Sequence, residues 1–326
     1  MTPTTRFTVD VLLSADDRRA ALLADARVGL TSSPKVLSPV WFYDERGSAL
    51  FDEITRLPEY YLTRTERGLL RAHAAEIAAV TGADTLIELG SGTSEKTRML
   101  LDATTAHGSL KCYTPLDVSE EILLESAATV AGEYPGLEVN AVVGDFHRHL
   151  GALPAGPSRL VAFLGSTIGN LTPGERRRFL FDLNCALGHD DWFLLGVDLV
   201  KDPSVLLAAY DDSSGVTAEF NRNALRVVNR ELDAHFDPEA FDHVAVWDPV
   251  NEWIEMRLRA TCDQTVAIGA LETRITFDQG EEMRTEISAK FTPDVIGAEL
   301  YEAGFVTRRT WQAGDDFLLV LSQPYC

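Results

Sequence analysis

The chemistry open to this chain is concentrated in a few short motifs. In IELGSGTSEKTRML, Glu88 ends an apolar run, and Gly90 and Gly92 form a tight loop before a helix. Glycines there let the backbone approach a ligand with no Cβ in the way, although a bare GxG also serves as a plain strand–helix turn. Asp117 ends the next apolar run. A carboxylate at that place can accept from both hydroxyls of a ribose, or it can cap the following helix, a role for which Ser119 competes. Asp145 and Phe146 end the third run. The acid can accept from an adenine amino group and the ring can stack on the base; an acidic turn is the plainer alternative.

A dinucleotide fingerprint needs a third glycine at the helix start, and here that place is Ser94 or Glu95. An acid at a helix N-terminus repels a pyrophosphate, which disfavours a nicotinamide oxidoreductase. A smaller cationic nucleoside fits better: S-adenosylmethionine carries a sulfonium and no phosphate. Lysine occurs only at 35, 96, 111, 201 and 290, which singles out Lys96 inside the glycine motif. At the end of the fourth run, LGSTIGNLTP offers Gly165 and Asn170 where a substrate meets a cofactor. The Asn170 amide can bind a carboxylate or an amine, while the small residues around it would equally suit close helix–sheet packing. An aromatic stretch holds Trp41, Phe42, Tyr43, Phe51, Tyr60 and Tyr61. It reads either as a packed core patch or as the lining of a polar pocket.

Elements of two kinds must position these groups. From about residue 65, strands at 84–89, 110–118, 137–146, 159–165 and 191–200 alternate with helices. That rhythm predicts an α/β fold with a parallel sheet, whose active crevice lies at the carboxyl ends of the strands. Before Thr63 the pattern reads as helical pieces. After Lys201 the rhythm is lost: a long helical stretch to Phe236 precedes strands, with WDPVNEW as a hairpin connection. The tail reads as a helix capped at Gly304, then an antiparallel pair, VTRRTW and DFLLVLSQ, that closes the sheet.

Composition narrows the function class. With 326 residues, 45% hydrophobic and 24% charged, the chain is globular in type. A net charge of −21 disfavours nucleic acid and anionic membranes as partners. The N-terminus lacks a signal-peptide pattern, and no apolar run is long enough to span a membrane. Cys112, Cys185, Cys262 and Cys326 are far apart and no CxxC occurs. The expectation is reduced thiols, no metal and a cytoplasmic location.

The blocks GSALFDEITRLPEYYLTRTE, DTLIELGSGTSEKTRMLLDA, FLGSTIGNLTP, AYDDSSGVTAEFNRNALRVVNRELDAHFD, IEMRLRA and GEEMRTEISAKF carry a resemblance. Along nearly its whole length the chain resembles the histidine-specific Nα-methyltransferases of ergothioneine biosynthesis. The resemblance implies a Rossmann-like class I methyltransferase sheet over 65–199 and 291–326, and a second, discontinuous α+β substrate-binding domain over 1–64 and 200–290. It implies S-adenosylmethionine as methyl donor, with contacts from Tyr43, Glu88, Gly90, Gly92, Lys96, Asp117, Asp145 and Phe146. L-Histidine would be the substrate and a monomer the acting form. Asn170 and Tyr210 would hold its carboxylate, and Tyr60 and the Gly165 carbonyl would lie near its amine, with Tyr43 or Tyr60 orienting that amine. Glu286 and Ser288 would read the imidazole beside Met256. The two residues are i and i+2 on a strand and so share a face; a simple ion pair of Glu286 with Arg284 or Arg257 is the alternative. An N-methyltransferase acting on another amino acid, such as a tryptophan derivative, is the rival activity.

Overall fold

The computed structural model describes residues 6–325; Cys326 lies outside them. The elements, in chain order, are β1 (Phe7–Val11), α1 (Ala15–Gly29), β2 (Lys35–Val36), α2 (Glu45–Ile54), α3 (Tyr61–Thr81), β3 (Thr85–Leu89), α4 (Arg98–His107), β4 (Cys112–Asp117) and α5 (Glu120–Glu133). They continue with β5 (Glu138–Val143), β6 (Arg159–Phe163), α6 (Pro173–Ala186), β7 (Trp192–Asp198), α7 (Pro203–Tyr210), α8 (Val216–Leu232), β8 (Phe241–Asp248) and β9 (Trp253–Ala260). The last are β10 (Gln264–Ile268), β11 (Thr273–Phe277), β12 (Glu282–Ala289), α9 (Pro293–Glu302), β13 (Phe305–Ala313) and β14 (Phe317–Pro324).

The chain divides into two compact units. The first holds the described residues up to Leu13, then 62–200 and those from Lys290 on. Its sheet has eight strands in the order β1-β5-β4-β3-β6-β7-β14-β13. The first six run parallel, and β14 and β13 are antiparallel at one edge. The central strands β3 and β6 are buried at every residue, as strands covered by helices on both faces must be. Strand order reverses on either side of β3, so the crevice of the doubly wound fold opens at the carboxyl ends of β3, β4 and β6. Helix ends follow local rules. Pro173 occupies the first turn of α6 and the Glu175 carboxylate accepts from the Thr172 N–H at 2.8 Å.

The second unit holds 14–61 and 201–289. It has a four-stranded sheet, β2-β12-β9-β8, and a separate two-stranded β10-β11 pair. Helix α8 buries Phe220, Asn221, Ala224, Leu225, Val228 and Leu232 on one stripe, the spacing of a core-facing helix.

Three expectations change. The segment before Thr63 is not only helical: Phe7–Val11 forms an edge strand parallel to β5. Its residues are mostly exposed, so it lacks the apolar signal that marks an inner strand. The division between the units accordingly departs from one at residue 64: the described residues up to Leu13 and those from Leu62 belong with the large sheet. The helical stretch after Lys201 is two helices, α7 and α8, parted by an Asp212 turn whose carboxylate accepts from the Ser214, Val216 and Thr217 amides.

One buried ion pair ties the amino ends of β6 and β7 together. Asp191 accepts from the Arg159 backbone N–H at 2.8 Å, from Arg159 Nε at 2.9 Å and from Nη2 at 2.5 Å. Two further guanidinium hydrogens, on Nη1 and Nη2, reach the Pro154 and Ala186 carbonyls. Removing one partner strands a buried charge. Asp191→Ala is expected to lower the unfolding free energy by about 3–5 kcal/mol, read from the urea midpoint of the full chain. A loss below about 1 kcal/mol, the range of an exposed pair, would overturn this.

Candidate functional site

In the first unit the glycine loop folds back onto the end of β4. Gly90 N–H donates to the Leu116 carbonyl at 2.8 Å and Gly92 N–H to Asp117 Oδ2 at 2.8 Å. Gly90 and Gly92 have φ of +67° and +49°, and a Cβ on either would meet open space. Side chains strain that backbone, so the loop presents bare main chain. The Ser91 hydroxyl between them is buried and has no hydrogen-bond partner among the described residues. An open cradle with an orphaned hydroxyl and a carboxylate at the neighbouring strand end fits a neutral or cationic nucleoside.

Asp117 takes backbone amides on both of its oxygens. Its Oδ1 accepts from the Ser119 N–H at 2.9 Å, and Ser119 itself makes no side-chain cap. Burial pushes the Asp117 carboxyl up, against the Ser119, Gly92 and Val118 backbone amides that pull it down. Glu88 is buried at the end of β3. It is 3% exposed, and its two oxygens accept from the Thr97 hydroxyl and from Tyr113 Oη at 2.6 Å. Ser94, at φ +53°, places its hydroxyl 2.9 Å from the same phenol. Glu88 therefore braces the loop from a strand that is buried on both faces. Glu95 is an exposed turn residue, three positions before α4 and paired with Arg67 at 3.2 Å. It lies outside the first turn of the helix, and Arg67 offsets its charge.

Asp145 sits in a turn, its Oδ1 accepting from the His147 N–H at 2.8 Å. Phe146 is partly exposed, with Phe163 at 5.1 Å and Phe179 at 5.8 Å on its packed side. The loop after β6 is held by a residue that sequence reasoning missed. Glu66 is fully buried, and its two oxygens accept from the Gly165 N–H at 2.8 and 3.0 Å. Lys96 Nζ donates to the same carboxylate at 2.5 Å. Gly196 leaves the room: a Cβ there would meet Glu66 Oε1 at 2.1 Å. An acid on a helix offers no local signal of such a partner. Gly165 has φ of +78°, and Asn170 closes the following turn, half-buried, its amide without a hydrogen bond among the described residues.

In the second unit the aromatic stretch joins residues far away in sequence. Ring centroids step from Tyr43 to Phe51 (5.7 Å), Phe51 to Tyr60 (6.2 Å) and Tyr60 to Tyr210 (6.3 Å), with Phe220 of α8 at 5.5 Å from Tyr43. Phe42 is fully buried while Tyr43 keeps some exposure, so the stretch is both core and surface. Tyr210 Oη and Ser288 Oγ are 2.7 Å apart and buried. Glu286 pairs across the sheet with Met256. Arg257 and Arg284, its alternative partners, are engaged by other acids: Arg257 by Glu255 and Glu282 at 2.6 and 2.7 Å, and Arg284 by Glu255 at 3.2 Å. Asn221 and His243 were also missed. Burial holds His243 below its usual value, which suits a neutral ring whose Nδ1 accepts from Asn221 Nδ2 at 2.8 Å and whose Nε2–H donates to the Tyr210 carbonyl at 2.8 Å.

Comparison with known proteins adds to this geometry. The family described as "Histidine-specific methyltransferase, SAM-dependent" matches residues 22–324. The chain is 55% identical over 312 residues to a histidine N-alpha-methyltransferase of Mycobacterium tuberculosis, covering 95% of this chain and 97% of that one. It is 56% identical to the protein of the same description from Mycolicibacterium smegmatis, with coverage of 93% and 95%. An ergothioneine biosynthesis protein 1 of Neurospora crassa is 35% identical over 66% of this chain, which spans 26% of that longer protein.

Glu88 makes the loop sensitive to pH. Burial pushes its carboxyl from 4.5 up to about 7. Between those values the folded protein keeps a proton that the unfolded chain has lost, so stability falls as pH rises through this window and levels off above it. The difference in urea midpoint between wild type and Glu88→Gln is expected to follow that course. A difference that stays flat from pH 4.5 to 7 would refute it.

Proposed function

The chain belongs to the histidine-specific, S-adenosylmethionine-dependent methyltransferases, and on that premise we propose how its residues carry out the reaction. It methylates the α-amino group of L-histidine three times to give the trimethyl betaine, a step of ergothioneine biosynthesis. The observation that carries this reading is the identity of 55% maintained over nearly the full length of both chains. S-adenosylmethionine, when bound, supplies an electrophilic methyl group on a sulfonium.

The first unit provides the residues for the donor. We assign Asp117 to the ribose hydroxyls, Asp145 to the adenine amine and Phe146 to the face of the base, with Gly90, Gly92 and Lys96 around the rest. The open glycine cradle and the unpartnered Ser91 hydroxyl support this assignment. The second unit provides the residues that read histidine. We assign Glu286 and Ser288 to the two ring nitrogens, with Met256 beside them and Tyr210 at the carboxylate. Asn170 is assigned to the same carboxylate, and Tyr60 and the Gly165 carbonyl to the amine. The α-ammonium must lose a proton before each transfer. Tyr43 and Tyr60 would orient the amine while water carries the proton away, and the rate enhancement comes chiefly from alignment. A carbonyl and phenols tolerate the loss of N–H donors as methyl groups accumulate, where a charged clamp would not. A cytosolic monomer is the accompanying proposal; the net charge of −21 and the absence of paired cysteine motifs support the location.

Two measurements test this. Mass spectrometry of the purified chain with L-histidine and S-adenosylmethionine is expected to show successive gains of one, two and three methyl groups on the α-nitrogen. Methylation of a ring nitrogen would refute the orientation, and no methylation would refute the activity. Asp117→Ala is expected to weaken S-adenosylhomocysteine binding by about 1.5 kcal/mol or more, roughly tenfold, in calorimetry. Unchanged affinity would reduce Asp117 to a cap for α5 and the glycine loop.

A further inference from the structure

Strand β12 is irregular at one point, and that point determines what Glu286 can face. Along β12, Met283 pairs with Leu258 and Arg284 with Arg257; the next pair is Glu286 with Met256, which leaves Thr285 as an extra residue. Two residues against one is a β-bulge, a device that re-aims side chains. In an unbroken strand, residues 282, 284, 286 and 288 would share a face. That face is an ionic lattice: Glu282 binds Arg257 at 2.7 Å and Arg259 at 2.5 Å, while Glu255 binds Arg257 at 2.6 Å and Arg284 at 3.2 Å. The bulge moves Glu286 and Ser288 to the opposite face. There Glu286 lies across from Met256, Ser288 lies across from Ile254, and Ser288 meets the Tyr210 phenol.

We propose that Thr285, pinned by Asn221, is the specificity-determining device of the histidine-reading surface: it turns Glu286 and Ser288 away from the arginine face and toward Met256 and Tyr210. This rests on the reading of Glu286 and Ser288 as the imidazole contacts. A bulge leaves ladder groups of the partner strand unpaired, and side chains satisfy them here. Thr285 is 1% exposed; its hydroxyl donates to Asn221 Oδ1 at 2.6 Å, with the Met256 carbonyl at 3.0 Å. Asn221 is fully buried, and its amide donates to the Arg257 carbonyl at 3.1 Å as well as to His243. His243 in turn holds the Tyr210 carbonyl. The Asn221 amide therefore ties the bulge on β12 to the Arg257 carbonyl opposite it on β9 and, through His243, to the backbone of Tyr210. Thr285 and Asn221 act through Glu286, Ser288 and Tyr210, and are positioning residues.

The test compares kcat/KM for L-histidine and L-tryptophan, with S-adenosylhomocysteine affinity by calorimetry, in the full chain. Glu286→Ala is expected to lower histidine kcat/KM and raise the tryptophan-to-histidine ratio. Thr285→Val keeps the shape but removes the donor that Asn221 Oδ1 accepts from, and should lower histidine kcat/KM about tenfold through KM. Its S-adenosylhomocysteine affinity should stay within about twofold of wild type. Thr285→Ser retains the donor and should restore most of the activity. Asn221→Ala removes the pin from the helix side and should reproduce the valine result. The double variant Thr285→Val/Glu286→Ala should be no worse than Glu286→Ala alone, because the two substitutions break one device. Additive losses in the double variant, or an equal loss of S-adenosylhomocysteine affinity in Thr285→Val, would assign Thr285 to general stability and overturn the proposal. Histidine kcat/KM unchanged in Glu286→Ala would instead overturn the imidazole reading on which the proposal rests.

Discussion

A parallel strand cannot turn straight back into its neighbour; the chain must cross over through a helix before it re-enters the sheet. Every parallel strand therefore ends on the same edge. In the first unit this constraint brings the glycine loop after β3, Asp117 at the end of β4, the turn after β5 and the Gly165 loop after β6 to one rim. None of these groups needs its neighbours in sequence to reach that rim. Each needs only a strand of about the right length before it.

The rim is built from backbone and from buried acids that hold backbone. Asp117 spans from the Gly92 amide to the Ser119 amide. Glu88 takes the hydroxyls of Thr97 and Tyr113. Glu66 receives the Gly165 amide and the Lys96 ammonium. A buried carboxylate is costly unless its lone pairs are filled, and here amides, hydroxyls and a lysine fill them. The result is a set of loops with fixed main chain and an open side, the arrangement that alignment of a cofactor requires. The second unit solves a different problem. Its antiparallel strands alternate faces, and an arginine–glutamate lattice covers one of them. The inserted residue on β12 keeps Glu286 off that lattice.

The sequence by itself determined the outline. Buried parallel strands read as continuous apolar runs, and the five inner strands lie where those runs are. The residues that end them — Gly90, Asp117, Asp145, Gly165 — were legible because strand, loop and helix follow one another locally. The WDPVNEW hairpin and the antiparallel pair at the tail were legible for the same reason. The family was legible in long exact blocks such as FLGSTIGNLTP. Only the tertiary structure decided which polar side chains support the rim and which face it. The acceptance of the Thr97 and Tyr113 hydroxyls by Glu88 could not be read from its place at a strand end; Glu66, Asn221 and His243 carry no local mark at all. The edge strand at Phe7–Val11 alternates apolar and polar residues over only five positions and buries no face, so that short pattern by itself does not place it in the large sheet. The face occupied by Glu286 could not be read from its spacing to Arg284, because strand periodicity assumes an unbroken strand. One extra residue inverts that assignment, and its position depends on side chains of α8 that lie over sixty residues earlier in the chain.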